Sequence, residues 1–125
     1  MYYINKMLVS ALATEPLNPR LVAELMEWAR TSGAEVSDEV REALVRKILE
    51  LLSKLRTNPS APEVVSALES LVEVYARLRP EADSFRLLRR EFLRFVEDVL
   101  SKAEALEPPL LMAYKNVAKM LLVKL

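Results

Sequence analysis

The sequence predicts an all-α fold: a single domain of six antiparallel helices, arranged as a bundle or as a short stack of paired-helix hairpins of the HEAT or armadillo kind. Three observations carry that expectation. Apolar residues recur at spacings of three and four along nearly the whole chain. No stretch alternates apolar and polar residues as a half-buried strand would. Prolines and capping residues fall where such helices would start.

The first helix covers roughly Tyr2 to Ala13. Asn18 followed by Pro19 reads as an N-cap with proline at the first helical position, and opens a second helix that runs to about Thr31 and stops at Gly33. Ser37 caps the third helix. Asp38 and Glu39 in its first turn and Lys54 and Arg56 near its end complement the helix dipole, and Glu42/Arg46 and Glu50/Lys54 have the spacing and order of supportive (i, i+4) pairs. Ser60-Ala61-Pro62-Glu63 has the pattern of a capping box, which starts a fourth helix ending near Leu78. The fifth begins between Pro80 and Ser84 and is expected to reach Leu106. Pro108-Pro109 resets the chain for a sixth helix that ends near the C-terminus. Every connection is short, so consecutive helices are antiparallel.

An internal similarity with a period of about 47 residues accompanies these elements. Trp28-Ala29-Arg30 and Ser37 are echoed by Tyr75-Ala76-Arg77 and Ser84, and Val45, Ile48 and Leu49 by Phe92, Phe95 and Val96. Read this way, helices two and three and helices four and five are two copies of one hairpin.

Composition bounds the chemistry. A chain of 125 residues with 52% hydrophobic and 29% charged residues can build one core unaided. With no Cys and no His, it has no disulfide, no thiolate site, no thiol nucleophile, and none of the commonest general base and metal ligand. One Gly excludes a phosphate-cradling loop or dinucleotide fingerprint, and the Glu-x-x-His of helical di-metal sites cannot occur. No cofactor, no metal and no catalytic constellation is expected. The acidic pairs Glu24/Glu27, Glu39/Glu42 and Glu69/Glu73 read as solvated charge. The absence of Gln beside Cys and His, with Asn only at positions 5, 18, 58 and 116, resembles a heat-adapted composition, for which a melting point above roughly 80 °C is expected.

Met7 to Ala13 ends in the small-x-small pattern of a signal-peptidase site, but it is minimal for an apolar region and Tyr2-Tyr3-Ile4 stands where a basic leader belongs. No run approaches a membrane span. The expected setting is the cytoplasm.

Formal net charge is zero but unevenly spread. From Glu24 to Glu50 seven acids face four bases, whereas from Ala76 to Arg94 six arginines face three acids. On a helical wheel with Phe85 at zero, Leu88, Phe92, Phe95, Val96, Val99 and Ala103 mark the core face of the fifth helix, and Arg86, Arg90 and Arg94 fall at about 100°, 140° and 180°. Like charges at this spacing repel. Three things could offset the stripe: an acidic helix of the same fold, an acidic partner protein, or nucleic-acid phosphate. A neutral protein offers little counterion release and the stripe carries no evident stacking aromatics, so nucleic acid is the alternative and not the first reading. Arg86, Arg90 and Arg94 are the candidate partner-binding residues.

The first and sixth helices are apolar around most of their circumference. Either they pack together as the middle of the bundle, or one buries its second face against another chain, a protein partner or a further copy of this one. Trp28 and the methionines read as core filling. The functional expectation is a non-catalytic protein–protein interaction module, or a small helical subunit of a larger complex.

Overall fold

The computed structural model describes residues 2–78 and 82–123. Six α-helices make up the fold: α1 (Tyr2–Ala13), α2 (Pro19–Thr31), α3 (Asp38–Thr57), α4 (Pro62–Arg77), α5 (Ala82–Asp98) and α6 (Pro108–Ala118). A 3₁₀ turn, Leu100–Lys102, follows α5, and a π-helical turn, Lys119–Val123, follows α6. No strand occurs among the described residues, and no helix there is long and apolar enough to cross a membrane.

Local chemistry explains most boundaries. The Asn18 side chain accepts from the Leu21 amide and Pro19 occupies the first position of α2. At the other end Ala34 N–H donates to Ala29 O and Gly33 N–H to Arg30 O, the paired bonds of a Schellman motif. That motif needs a left-handed residue, and Gly33 supplies it at φ +70°. Ser37 caps α3 through the Val40 amide.

Two boundaries differ from expectation. The capping box at Ser60 does not form: α4 starts at Pro62 with Ala61 at the cap, and no side chain caps it. Proline disfavours the helical region for the residue before it, so Ala61 is extended at φ −69°, ψ 106° and cannot be the first helical residue after a Ser60 cap. The Ser60 amide donates instead to Asn58 Oδ1. The fifth helix ends at Asp98 and not near Leu106. Its continuation tightens into i→i+3 bonds, Lys102 N–H to Val99 O and Ala103 N–H to Leu100 O, while the Ser101 hydroxyl donates back to Glu97 O in competition with the backbone.

Contacts run α1–α3–α5 in one row and α2–α4–α6 in a second. Across the rows α1 packs on α2, α3 on α4, and α5 on the π-helical turn after α6. The packed pairs are therefore offset by one helix from the internal similarity, which joins α2 to α3 and α4 to α5. Its equivalences also diverge: Trp28 is exposed and Tyr75 buried, and Ser37 caps a helix whereas Ser84 lies inside one.

One core cluster threads both rows. Its middle is α4, which touches α2, α3 and α6 and buries Val65, Leu68, Leu71, Val72 and Tyr75. Each such aliphatic side chain contributes roughly 1.5–3 kcal/mol by leaving water. The terminal helices are thus not the centre of the bundle. Helix α1 buries Ile4, Leu8, Ala11 and Leu12 against α2 and α3 but leaves Tyr3 and Met7 exposed, and α6 buries Ala113, Tyr114 and Val117 while Leu111 and Met112 face solvent. Trp28, expected in the core, is 53% exposed, because α2 turns Val22, Leu25 and Ala29 inward and the indole follows a different face.

Candidate partner-binding site

Helix α5 positions the arginines. Leu88, Phe92 and Phe95 are fully buried, and their (i, i+4) and (i, i+3) spacing fixes the rotation of the helix on α3. That rotation sends Arg86, Arg90 and Arg94 outward, with side chains between 61% and 74% exposed. The structure brings the three onto one face, as their spacing requires.

Their partners are local and loose. Arg86 lies 3.7 Å from Asp83, while Arg90 and Arg94 share Glu91 at 3.9 and 3.6 Å. Ion pairs of that length between solvated groups contribute little. Among the described residues none of the three arginines pairs with the acidic segment of α2 and α3, several of whose acids are engaged elsewhere. Glu27 holds Arg30, Asp38 lies 3.8 Å from Arg41, and Glu50 faces Lys47 and Lys54 at 3.1 and 3.8 Å. Among the described residues the ion pairs of α3 do not include the Glu42/Arg46 pair expected from spacing. Arg79 and Glu81, counted in the basic segment, lie outside the described residues.

The sequence reading overlooked one member of this face. Leu93 falls at about 80° on the same wheel, between the core arc and the arginines, and it is 45% exposed. Arg86, Arg89 and Arg90 precede it by seven, four and three residues, so an apolar side chain stands among guanidinium groups. The signal was in the wheel, where a leucine at the edge of a hydrophobic arc is easily assigned to the core. Arg89 lies over the half-buried Phe85 ring, 6.0 Å from its centroid, and Phe92 and Phe95 are buried, so no exposed aromatic is available on α5.

Lys47 is the one buried charged residue among those described. Its Nζ lies 2.9 Å from Glu15, in the loop between α1 and α2, and 3.1 Å from Glu50. Burial alone would lower the pKa of the ammonium, but hydrogen bonds to both carboxylates and their charges outweigh it and raise the pKa above the ordinary value. An amine held protonated in this way is neither a nucleophile nor a base at neutral pH. The Tyr114 phenol, buried and donating to Pro59 O at 2.7 Å, is likewise pushed up by desolvation. No group of three acidic side chains that could hold a metal ion occurs among the described residues. The acidic pairs Glu24/Glu27 and Glu39/Glu42 are exposed, and Glu69 accepts from Asn116 at 2.7 Å.

Comparison with known protein families, with curated proteins and with solved structures finds no match to the chain. What this face can do follows from its own chemistry: exposed guanidinium groups beside an apolar side chain.

Proposed function

We propose that the chain is a non-catalytic protein–protein interaction module, or a small helical subunit of a larger complex, and that α5 docks on an acidic segment of a protein partner. The observation that carries this reading is Leu93 standing exposed among Arg86, Arg90 and Arg94. A leucine ringed by arginines suits a protein segment that offers carboxylates around an apolar residue, since Arg matches carboxylate geometry and a desolvated apolar anchor supplies most of the affinity. A phosphate backbone has no use for the leucine, and base stacking would call for exposed aromatics.

The test uses the whole chain as bait in a lysate of the native cell. Replacing Arg86, Arg90 and Arg94 together by Glu abolishes capture of an acidic protein, and Leu93→Ser weakens it, while the unfolding free energy of both variants stays within about 1 kcal/mol of wild type. Capture unaffected by either variant sinks the reading. So does retention of nucleic acid by the wild type that collapses between 50 and 200 mM salt and is lost in the triple variant.

The terminal helices favour a second reading, self-association. Tyr3 and Met7 of α1 and Leu21 of α2, all exposed, border one groove between these helices, and Leu111 and Met112 form a separate apolar spot on α6. Light scattering at about 100 μM then gives a mass of at least two chains, and Met7→Glu returns it to one; a strictly monomeric wild type removes this reading.

A further inference from the structure

A cavity of about 310 Å³ opens where the C-terminal half of α2, the α2–α3 loop, the start of α3 and the end of α4 meet. It shares no residue with the α5 face. Met26, Val36, Val74 and Leu78 give it apolar walls, and Arg30, Arg41 and Arg77 line it together with Glu27 and Glu35. Its volume lies at the small end of the range that small-molecule sites occupy, about 300–1,000 Å³.

The three arginines are not equivalent. Arg30 is gripped by Glu27 through Nε at 3.1 Å and through a second guanidinium nitrogen. Arg77 donates to Glu73 at 2.8 Å. Arg41 has only a 3.8 Å approach to the exposed Asp38, and makes no hydrogen bond with its side chain among the described residues. Its Nε is sealed from solvent and has no partner there. A buried guanidinium donor without an acceptor is costly, and native proteins leave few of them. Arg41 lines the cavity with a side chain 29% exposed, so its terminal nitrogens, committed to no hydrogen bond, are the donors that a bound acceptor can reach.

We infer that this cavity binds a small monocarboxylate, an acid with an apolar body, whose two oxygens take the fork of Arg41 while its hydrocarbon lies against Met26, Val36, Val74 and Leu78. A planar carboxylate accepts from the two terminal nitrogens of one guanidinium in parallel, which an alcohol or an amide cannot reproduce. The acids around the cavity set the ligand's charge: Glu27 and Glu35 line it, and Asp38 and Glu73 stand beside it. A dianion such as a phosphate monoester would meet their repulsion with a single unsatisfied fork to offset it. One negative charge on an apolar body meets the least opposition. This inference does not rest on the α5 reading, and the triple arginine variant of α5 retains the binding.

Octanoate titrated into the whole chain, followed by backbone amide NMR, tests it, with octan-1-ol as the neutral control. Octanoate shifts the resonances of Ala34, Val36 and Leu78 saturably and binds at least tenfold more tightly than octanol. Arg41→Met, checked for folding by circular dichroism, erases that tenfold preference while octanol still binds. Arg41→Lys, which keeps the charge and loses the fork, restores only part of it. Equal affinity for acid and alcohol overturns the inference, as do an unchanged preference in Arg41→Met, shifts confined to other parts of the chain, or no saturable binding at millimolar octanoate.

Discussion

Helices α3 and α5 lie side by side in one row, yet they meet solvent differently. Over 20 residues α3 buries eight side chains, whereas α5, over 17 residues, buries three. The reason is position: α3 is flanked by α1 and α5 and covered by α4, while α5 ends its row. Their charges follow suit. Lys47 of α3 reaches out of its helix to Glu15 and Arg56 reaches Asp98, but Arg86, Arg90 and Arg94 find only acids of α5 itself. Two charged amphipathic helices of similar length thus divide the work, one knitting the fold together and the other presenting an unspent surface.

The sharpest way to break that comparison is to attack the little that α5 buries. Phe95 is fully enclosed, with its ring centroid 6.2 Å from Phe92 and 5.7 Å from Tyr114 of α6. With so few anchors, Phe95→Ala is expected to cost about 3–5 kcal/mol in urea unfolding. A cost below about 1 kcal/mol would mean that α5 is not held to the fold by this face.

A smaller effect separates the charges. Lys47→Met is expected to lower stability by about 1–3 kcal/mol, since it removes the tie between the α1–α2 loop and α3, whereas Arg90→Met stays within about 0.5 kcal/mol. Equal costs would erase the distinction between the helices. The tie also carries a pH signature. The hydrogen bond from Lys47 holds the Glu15 pKa below its ordinary 4.5, so the contribution of Glu15 is present above that value and is lost as pH falls through the folded pKa. Lys47 has a raised pKa, so its contribution is present below the ordinary 10.5 and lost as pH rises through the folded value. Stability is expected to be flat from about pH 6 to 9 and to fall on the acid side, with a shallower acid limb in Lys47→Met, read from urea midpoints at each pH.

Much of the fold was legible because it is decided within a few residues. Asn18, Pro19, Gly33 and Ser37 act on backbone groups no more than five positions away, and the structure uses them as their types suggest. The rotation of α5 was legible for the same reason, since three buried residues at helical spacing determine where Arg86, Arg90 and Arg94 point. Tertiary competition hid the rest. Ser60 lost its capping role to the conformational demand of Pro62, and Ser101 took a carbonyl that a longer α5 would have needed. Nothing local shows that α4, with a pattern like its neighbours, becomes the centre, or that Trp28 faces water. Lys47 sits among Val45, Ile48 and Leu51 on a heavily charged helix, and its burial is made tolerable by Glu50 together with Glu15, which lies 32 residues away in sequence.

The four asparagines are all at work. Asn5 accepts from the Ser37 amide and donates to Glu35 O, Asn18 caps α2, Asn58 accepts from the Ser60 amide, and Asn116 donates to Glu69. Asparagine ages when the backbone nitrogen of the following residue attacks the side-chain amide and closes a succinimide. Asn18 and Asn58 precede Pro19 and Pro59, whose ring nitrogens carry no hydrogen to lose. Asn5 and Asn116 lie inside α1 and α6, where the next N–H belongs to the helical ladder and the side-chain amide is held by a distant partner. The amides on which the fold relies are therefore the ones its sequence and geometry shield from deamidation, and the molecule's charge should change little as it ages.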